Sequence, residues 1–432
     1  MLKILIRFSA FFILALPIVS CQEEEEFNAS PEIRILNPSG EVSIAIPDTV
    51  NVSAEISDKD SVHRITLTLL NSSKQPVSGS VLFTPGVVNY KLDYAFPISD
   101  TSLTSGNYFI RISASDGKKD FARNISLKVQ AVPRVLTGFV FIRQKNQWFS
   151  VEKYSTNLEL VKKRSFQDEY YSSVYQTNKK FLFVSAKKHI PLVAINLDEL
   201  SISWQEQISS SFDYHIKDEM RIYRDRLYIA YAGENRLVIY NFSGNPVNEI
   251  TLEQRFMPGK LALSDDYIFL ERIKYGQTGR KLGVYFYQTA AHSESYDLPY
   301  TDLLTLTSLN TDSLALTVKH HNRFKLSIFN HKKHFFSDLI RLDGKPFRTV
   351  LIEPGLLLIG TDTKLYRYHL DENRNHELFS GEVSAFRYDP TKDVVYVLTP
   401  SKLLLIEATL GTLVNSFTLQ EEITDFHLIY NR

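Results

Sequence analysis

Cysteine is almost missing: Cys21 is the only one in 432 residues. A disulfide framework and a cysteine-rich zinc site are therefore excluded. Net charge is missing as well. The 49 lysines and arginines equal the 49 aspartates and glutamates, so the chain has no global field for holding nucleic acid. No Gly-x-Ser-x-Gly nucleophile elbow occurs, and no phosphate-cradling glycine loop. Only two tryptophans are present, Trp148 and Trp204. What is plentiful is phenylalanine and tyrosine, which bring the aromatic share to 12%. With frequent β-branched residues, that favours strands. The length suffices for two or three domains with ample cores.

The lone thiol sits in Pro17-Ile18-Val19-Ser20-Cys21-Gln22-Glu23-Glu24-Glu25-Glu26. Before it, Lys3 and Arg7 make a basic start, and Phe8 to Val19 is almost wholly apolar but short for a bilayer span. Residues 1–20 read as an export signal. Ile18-Val19-Ser20-Cys21 resembles a bacterial lipobox, which implies lipidation of Cys21 and cleavage just before it. Two or more acyl chains anchor a protein stably. An ordinary secretory signal with an incidental cysteine is the alternative, and the absence of other cysteines speaks against it. Four adjacent carboxylates repel one another and stay solvated, so residues 21–30 read as an acidic tether. The run resembles the acidic export signal of surface lipoproteins in the Bacteroidota. That resemblance implies an outer-membrane lipoprotein facing the cell surface, with the periplasmic face as the alternative.

Residues 31–131 alternate in the manner of short strands with turn punctuation. Expected strands are Glu32–Leu36, Val50–Ile56, Val62–Leu70, Val87–Phe96, Tyr108–Ser115 and Ala122–Val129. Turns are expected at Asn37 to Gly40, Ser57 to Asp60 and Asp116 to Lys118. About a hundred residues of this kind suggest an immunoglobulin-like sandwich. The segment Ser105 to Gly117 resembles the penultimate strand of bacterial Ig-like domains, with Tyr108 in the place of a corner tyrosine. Asp58, Asp60 and Asp116 are either turn residues bonding their own backbone or calcium ligands, as in cadherin-like modules. A spacer or an adhesive module is the implied role.

Beyond Pro133 a unit recurs: apolar strands separated by short polar turns. It is clear at Arg226 to Leu252 and at Val394 to Leu419. Unit starts fall near Phe139, Lys180, Arg226, Asp266, Asp312, Gly355 and Asp393. Their spacing is that of four-stranded propeller blades. A further strand precedes each start except the first. The C-terminal Glu422 to Ile429 aligns with Glu382 to Tyr388 plus one residue. Residues 135–432 are therefore expected to form a β-propeller of about seven blades, closed by the C-terminal strand pairing into blade one. The repeat resembles the irregular bacterial propellers of YncE-like and WD40-like type, although WD dipeptides, kelch diglycines and aspartate boxes are absent. Membership of so broad a superfamily implies no particular activity.

No catalytic constellation emerges. Quinone-cofactor propellers carry tryptophan docking repeats that two tryptophans cannot supply. The pairs His320-His321 and His331/His334 fall in turns at opposite ends of one strand, over ~20 Å apart, so they read as solvated turns and not as a metal site. No cofactor is implied. His189, His215 and His427 have no evident catalytic partners. Inter-blade loops and the turns between second and third strands share one propeller face, and there the sequence concentrates aromatics with charges of both signs. Phe166, Tyr170, Tyr171, Tyr214, His215, Phe256, Lys188 and Arg323 are the candidate binding residues; packing between blades is the alternative for each aromatic. The expected function is non-enzymatic binding of a glycan, a peptide or a protein partner. By resemblance to Bacteroidota surface lipoproteins, it would serve beside a TonB-dependent transporter and its SusD-like lid. A structural adhesin or envelope scaffold is one rival; a propeller-based lyase or hydrolase is the other.

Overall fold

The computed structural model describes residues 29–187, 192–206, 216–276 and 279–432, with the side chains of 216–218 left out. The expected signal, tether and lipidation site at Cys21 lie outside the described residues. So do Lys188, His189, Tyr214 and His215. No helix among the described residues is long and apolar enough to cross a membrane. The chain forms two compact units that meet in sequence between Pro133 and Arg134.

The first unit is a β-sandwich. One sheet orders Glu32–Asn37, Asp48–Val62 and Val87–Ile98; the other orders Val42–Ala45, Asp120–Gln130, Gly106–Ser115, Arg64–Leu70 and Val81–Phe83. Alternation drives it. In Gly106–Ser115, Tyr108, Ile110, Ile112 and Ala114 point into the shared core while the residues between them do not. Two strands escape the sequence reading, Val42–Ala45 and Val81–Phe83. They are short and carry too little alternation to stand out. The turn expected at Ser57 to Asp60 is not a break between strands. Asp48–Val62 runs through it, with an irregular register between Ser57 and Val62. The Tyr108 hydroxyl donates to the Thr104 carbonyl at 3.1 Å, fixing the entry to its strand.

The second unit is a β-propeller built of seven four-stranded antiparallel sheets. The sequence-derived starts fall at or close to the beginnings of Leu136–Lys145, Phe181–Ala186, Arg226–Tyr231, Tyr267–Lys274, Ser313–His320, Leu356–Thr361 and Val394–Leu398. These second strands are close to wholly buried, as in Val394–Leu398, because each packs against a neighbouring blade on both faces. Seven apolar clusters fill the seven interfaces between neighbouring blades. The last of them joins blade seven to blade one through Tyr396, Phe139, Phe141 and Phe426.

The C-terminal strand Asp425–Tyr430 pairs antiparallel with Leu136–Lys145, as expected, matching Phe426 with Phe141 and Leu428 with Phe139. It supplies the innermost strand of blade one. The innermost strands of the other blades are Tyr170–Gln176, Ile216–Tyr223, Phe256–Leu263, Asp302–Ser308, Pro346–Glu353 and Ala385–Asp389.

Close packing in blade one demands a glycine at position 138. A Cβ there would lie well inside contact distance of the Tyr154 carbonyl oxygen, which is rigid backbone. Gly138→Ala is expected to cost about 1–3 kcal/mol by overpacking. Gly279→Ala, where a Cβ meets nothing within 4 Å, is the control. Comparison of their melting temperatures checks the claim; equal values would refute it.

Candidate functional site

The innermost strands enclose a central channel, a cavity of about 680 Å³. Its lining is charged. Among the described residues, Arg134, Arg221, Lys260, Arg348 and Arg387 share the lining with two carboxylates, Glu219 and Asp425, and with His427. Local sequence explains the placement. Phe347-Arg348, Phe386-Arg387 and Phe426-His427 repeat one pattern in consecutive innermost strands. Phe386 and Phe426 are wholly buried in inter-blade clusters, and the basic residue that follows each is brought to the channel.

Asp425 is the hub. Its Oδ1 accepts from Arg387 Nη2 at 2.6 Å, and its Oδ2 accepts from the Tyr170 hydroxyl at 2.8 Å. Ser173 Oγ lies 3.4 Å from that same Oδ2 and 2.7 Å from His427 Nε2. One carboxylate thus ties blades seven, one and two together. Burial alone would raise its pKa, but the positive Arg387 foremost, with His427, the hydrogen bond from Tyr170 and the charge of Arg348, holds it below the ordinary carboxylate range. Burial, reinforced by repulsion from Arg387, pushes His427 down to about 3, with Asp425 opposing. The imidazole is therefore neutral at physiological pH.

Across the channel Glu219, itself buried, accepts from Arg221 Nε at 2.7 Å and meets Lys260 Nζ at 3.5 Å. Thr305 bonds Thr349 at 2.8 Å between the next pair of innermost strands. Arg348 differs from all of these. No carboxylate among the described residues forms an ion pair with it, and its Nε is buried without a hydrogen-bond partner. Burial, then repulsion from Arg387, pushes its guanidinium down to about 9, against the pull of Asp425.

The residues singled out in the sequence divide. Tyr170 and Tyr171 line the channel; they belong to an innermost strand and not to an exposed loop. Phe166 is buried and stacks on Phe149 at 4.9 Å between centroids. Phe256 is buried in the cluster between blades three and four, under the guanidinium of Arg272 at 4.6 Å. Both aromatics pack between blades, because they belong to blade strands and not to the loops the sequence pattern suggests: Phe166 ends the outermost strand Leu160–Phe166 of blade one, and Phe256 opens the innermost strand Phe256–Leu263. Arg323 is exposed and begins Arg323–Asn330 beside His320, away from this lining.

Among the described residues, one group of metal-ligating atoms comes together: Asp58, Asp60 and Asp116, within 4.8 Å of one another. Asp58 Oδ1 accepts the Asp60 amide, and Asp116 Oδ1 accepts the Lys118 amide at 2.7 Å, so both serve as turn residues. Asp58 Oδ2 is buried without a hydrogen-bond partner.

No protein-family model matches the chain, and no curated protein matches it. Solved structures do. A quinoprotein alcohol dehydrogenase-like protein from Bacteroides thetaiotaomicron is similar at 9% identity, with 92% of this chain and 99% of that chain covered and a TM-score of 0.44. A protein of unknown function from Desulfotomaculum acetoxidans is similar at 11% identity over 68% of this chain and 99% of its own, with a TM-score of 0.49. The WD40 repeats of RRP9 are similar at 11% identity over 68% and 88%, with a TM-score of 0.47. These likenesses concern fold alone, and the strand order described above defines the propeller without them.

Proposed function

We propose that this protein is a non-enzymatic cell-envelope lipoprotein that binds its ligand in the central channel of the propeller. The observation that carries the reading is the channel itself: a cavity of about 680 Å³ lined by converging charged and hydroxyl side chains, of the size that small-molecule sites occupy. The lipobox-like Ile18-Val19-Ser20-Cys21 and the acidic run after it support a lipid anchor at the outer membrane. The sandwich, with its Tyr108-to-Thr104 bond, supports an Ig-like spacer. Capture of a nutrient beside a TonB-dependent transporter fits such a build. The binding site has moved, however, from an aromatic face to the channel.

A hydrolase or lyase at the same place is the second reading, favoured by the 2.7 Å contact between Ser173 and His427. In a catalytic triad the carboxylate orients the far ring nitrogen of the base. Here Asp425 bonds Arg387 and Tyr170 instead. An imidazole held near 3 is also a poor base at neutral pH. Binding is the better account.

Affinity purification of the full-length protein from outer membranes, followed by mass spectrometry, tests the proposal. An acylated N-terminal Cys21 with a co-purifying transporter and small ligand is the expected result. A mature chain beginning elsewhere, soluble without detergent, would sink the anchor. A purely proteinaceous partner with an empty channel would favour the scaffold.

A further inference from the structure

We propose that the channel ligand carries an oxyanion, a carboxylate or phosphate group, and that Arg348 is its principal anchor. This rests on the channel being the binding site. Among the described residues, five cationic side chains line the cavity against two carboxylates. Both carboxylates are already engaged, Asp425 by Arg387, and Glu219 by Arg221 and Lys260. Arg134 and Arg348 are left over; Arg134 is exposed and lies over the Tyr430 ring at 3.9 Å, whereas Arg348 keeps a buried Nε without a hydrogen-bond partner. Arg348 is half-buried, it borders the cavity, and the Phe386 ring lies 6.0 Å from the guanidinium carbon. Arg387 also keeps a buried Nε without a partner.

A guanidinium carries five N–H donors and keeps its charge at neutral pH. With no ion-pair partner among the described residues and a second guanidinium nearby, it is costly to the ligand-free protein. That cost makes sense if a ligand removes it. The planar fork of arginine matches the two oxygens of a carboxylate or phosphate. Hydroxyls stand nearby on the neighbouring lining, Thr305 and Thr349 among them. A neutral sugar would leave the Arg348 charge unmatched, and a cation would be repelled. The rest of the ligand would meet Tyr171, Tyr175 and Phe347, which also border the cavity.

Three probes separate the chemistries: citrate for carboxylate, pyrophosphate for phosphate, and sorbitol as an uncharged polyol of similar size. Each is titrated into the full-length protein by calorimetry, with melting temperature measured in parallel. At least one anion is expected to bind with a Kd below a millimolar and to raise the melting temperature, while sorbitol does neither; which anion binds identifies the source. Arg348→Met is expected to melt no lower than the parent without ligand, and to lose anion affinity by roughly 100-fold, the loss of a charge-assisted bidentate pair. Arg348→Lys, which keeps the charge without the fork, is expected to lose about tenfold.

Equal anion binding by Arg348→Met would overturn the proposal, as would a marked drop in its ligand-free melting temperature, since either makes the residue structural or irrelevant. Binding of sorbitol with rejection of both anions would overturn the oxyanion while leaving the channel as the site. Failure of all three probes, with Arg348→Met still capturing the parent's membrane partners and ligand, would overturn the channel reading itself.

Discussion

Deletion of residues 425–432 is expected to abolish cooperative unfolding of the propeller. The strand Asp425–Tyr430 is the fourth strand of blade one. It contributes Phe426, Leu428, Ile429 and Tyr430, all buried, to the clusters on either side of that blade. Four large apolar side chains at about 1.5–3 kcal/mol each amount to on the order of 10 kcal/mol, which is comparable to the whole stability of a typical domain. The deletion also exposes the inner edge of Leu136–Lys145, a row of unpaired backbone groups open to another chain. Scanning calorimetry should show loss of the propeller transition and aggregation on heating. The transition of the sandwich, which has its own core, should persist. A graded form, Phe426→Ala, should cost about 3–5 kcal/mol. An unchanged propeller transition in the truncated chain would show that closure by this strand does not hold the ring.

Acid is expected to weaken the propeller well above the pH at which ordinary carboxylates titrate, with His427 the main cause. Its folded pKa is pushed down to about 3 from the ordinary 6.5. Between those values the unfolded chain binds a proton that the folded chain refuses, so stability falls as pH falls from 6.5 towards 3. From pH 6.5 to pH 4 this amounts to about 3 kcal/mol for a fully effective shift. Asp425, also held low, and Glu152, lowered to about 2 despite burial by Lys163, Arg143, Ser150 and Tyr154, extend the loss at lower pH. Glu271, raised by burial, acts in the opposite sense. His427→Gln isolates the histidine, because its amide can still bond Ser173. Its melting temperature should change much less than the parent's between pH 6.5 and 4. Parallel profiles would mean that His427 is not held neutral.

The fold was legible because every blade repeats one pattern: a buried second strand, such as Leu357-Leu358-Ile359, set between turns. Closure was legible too, since Ile423-Thr424-Asp425-Phe426-His427 aligns with Val383-Ser384-Ala385-Phe386-Arg387. The site was not. Aromatics draw attention in a sequence, yet Phe166 and Phe256 pack between blades, where a large ring gains most from burial. The usable signal was charge inside strands: Glu219, Arg348, Arg387 and Asp425 sit in innermost strands among residues that the blades bury. A strand buried on both faces does not tolerate such residues without a reason. Neither the pairing of Arg387 with Asp425 nor the solitude of Arg348 could be read ahead of coordinates, because the partners are separated by tens of residues and meet only through the ring.

Asp425 and His427 belong to the strand that shuts the ring. A ribosome therefore adds the hub of the channel after the innermost strands of the other six blades. Until that segment docks, Arg387 lacks the aspartate that pairs with it, and the cavity lacks one of its two described carboxylates. A fully lined cavity thereby reports that the ring has been shut.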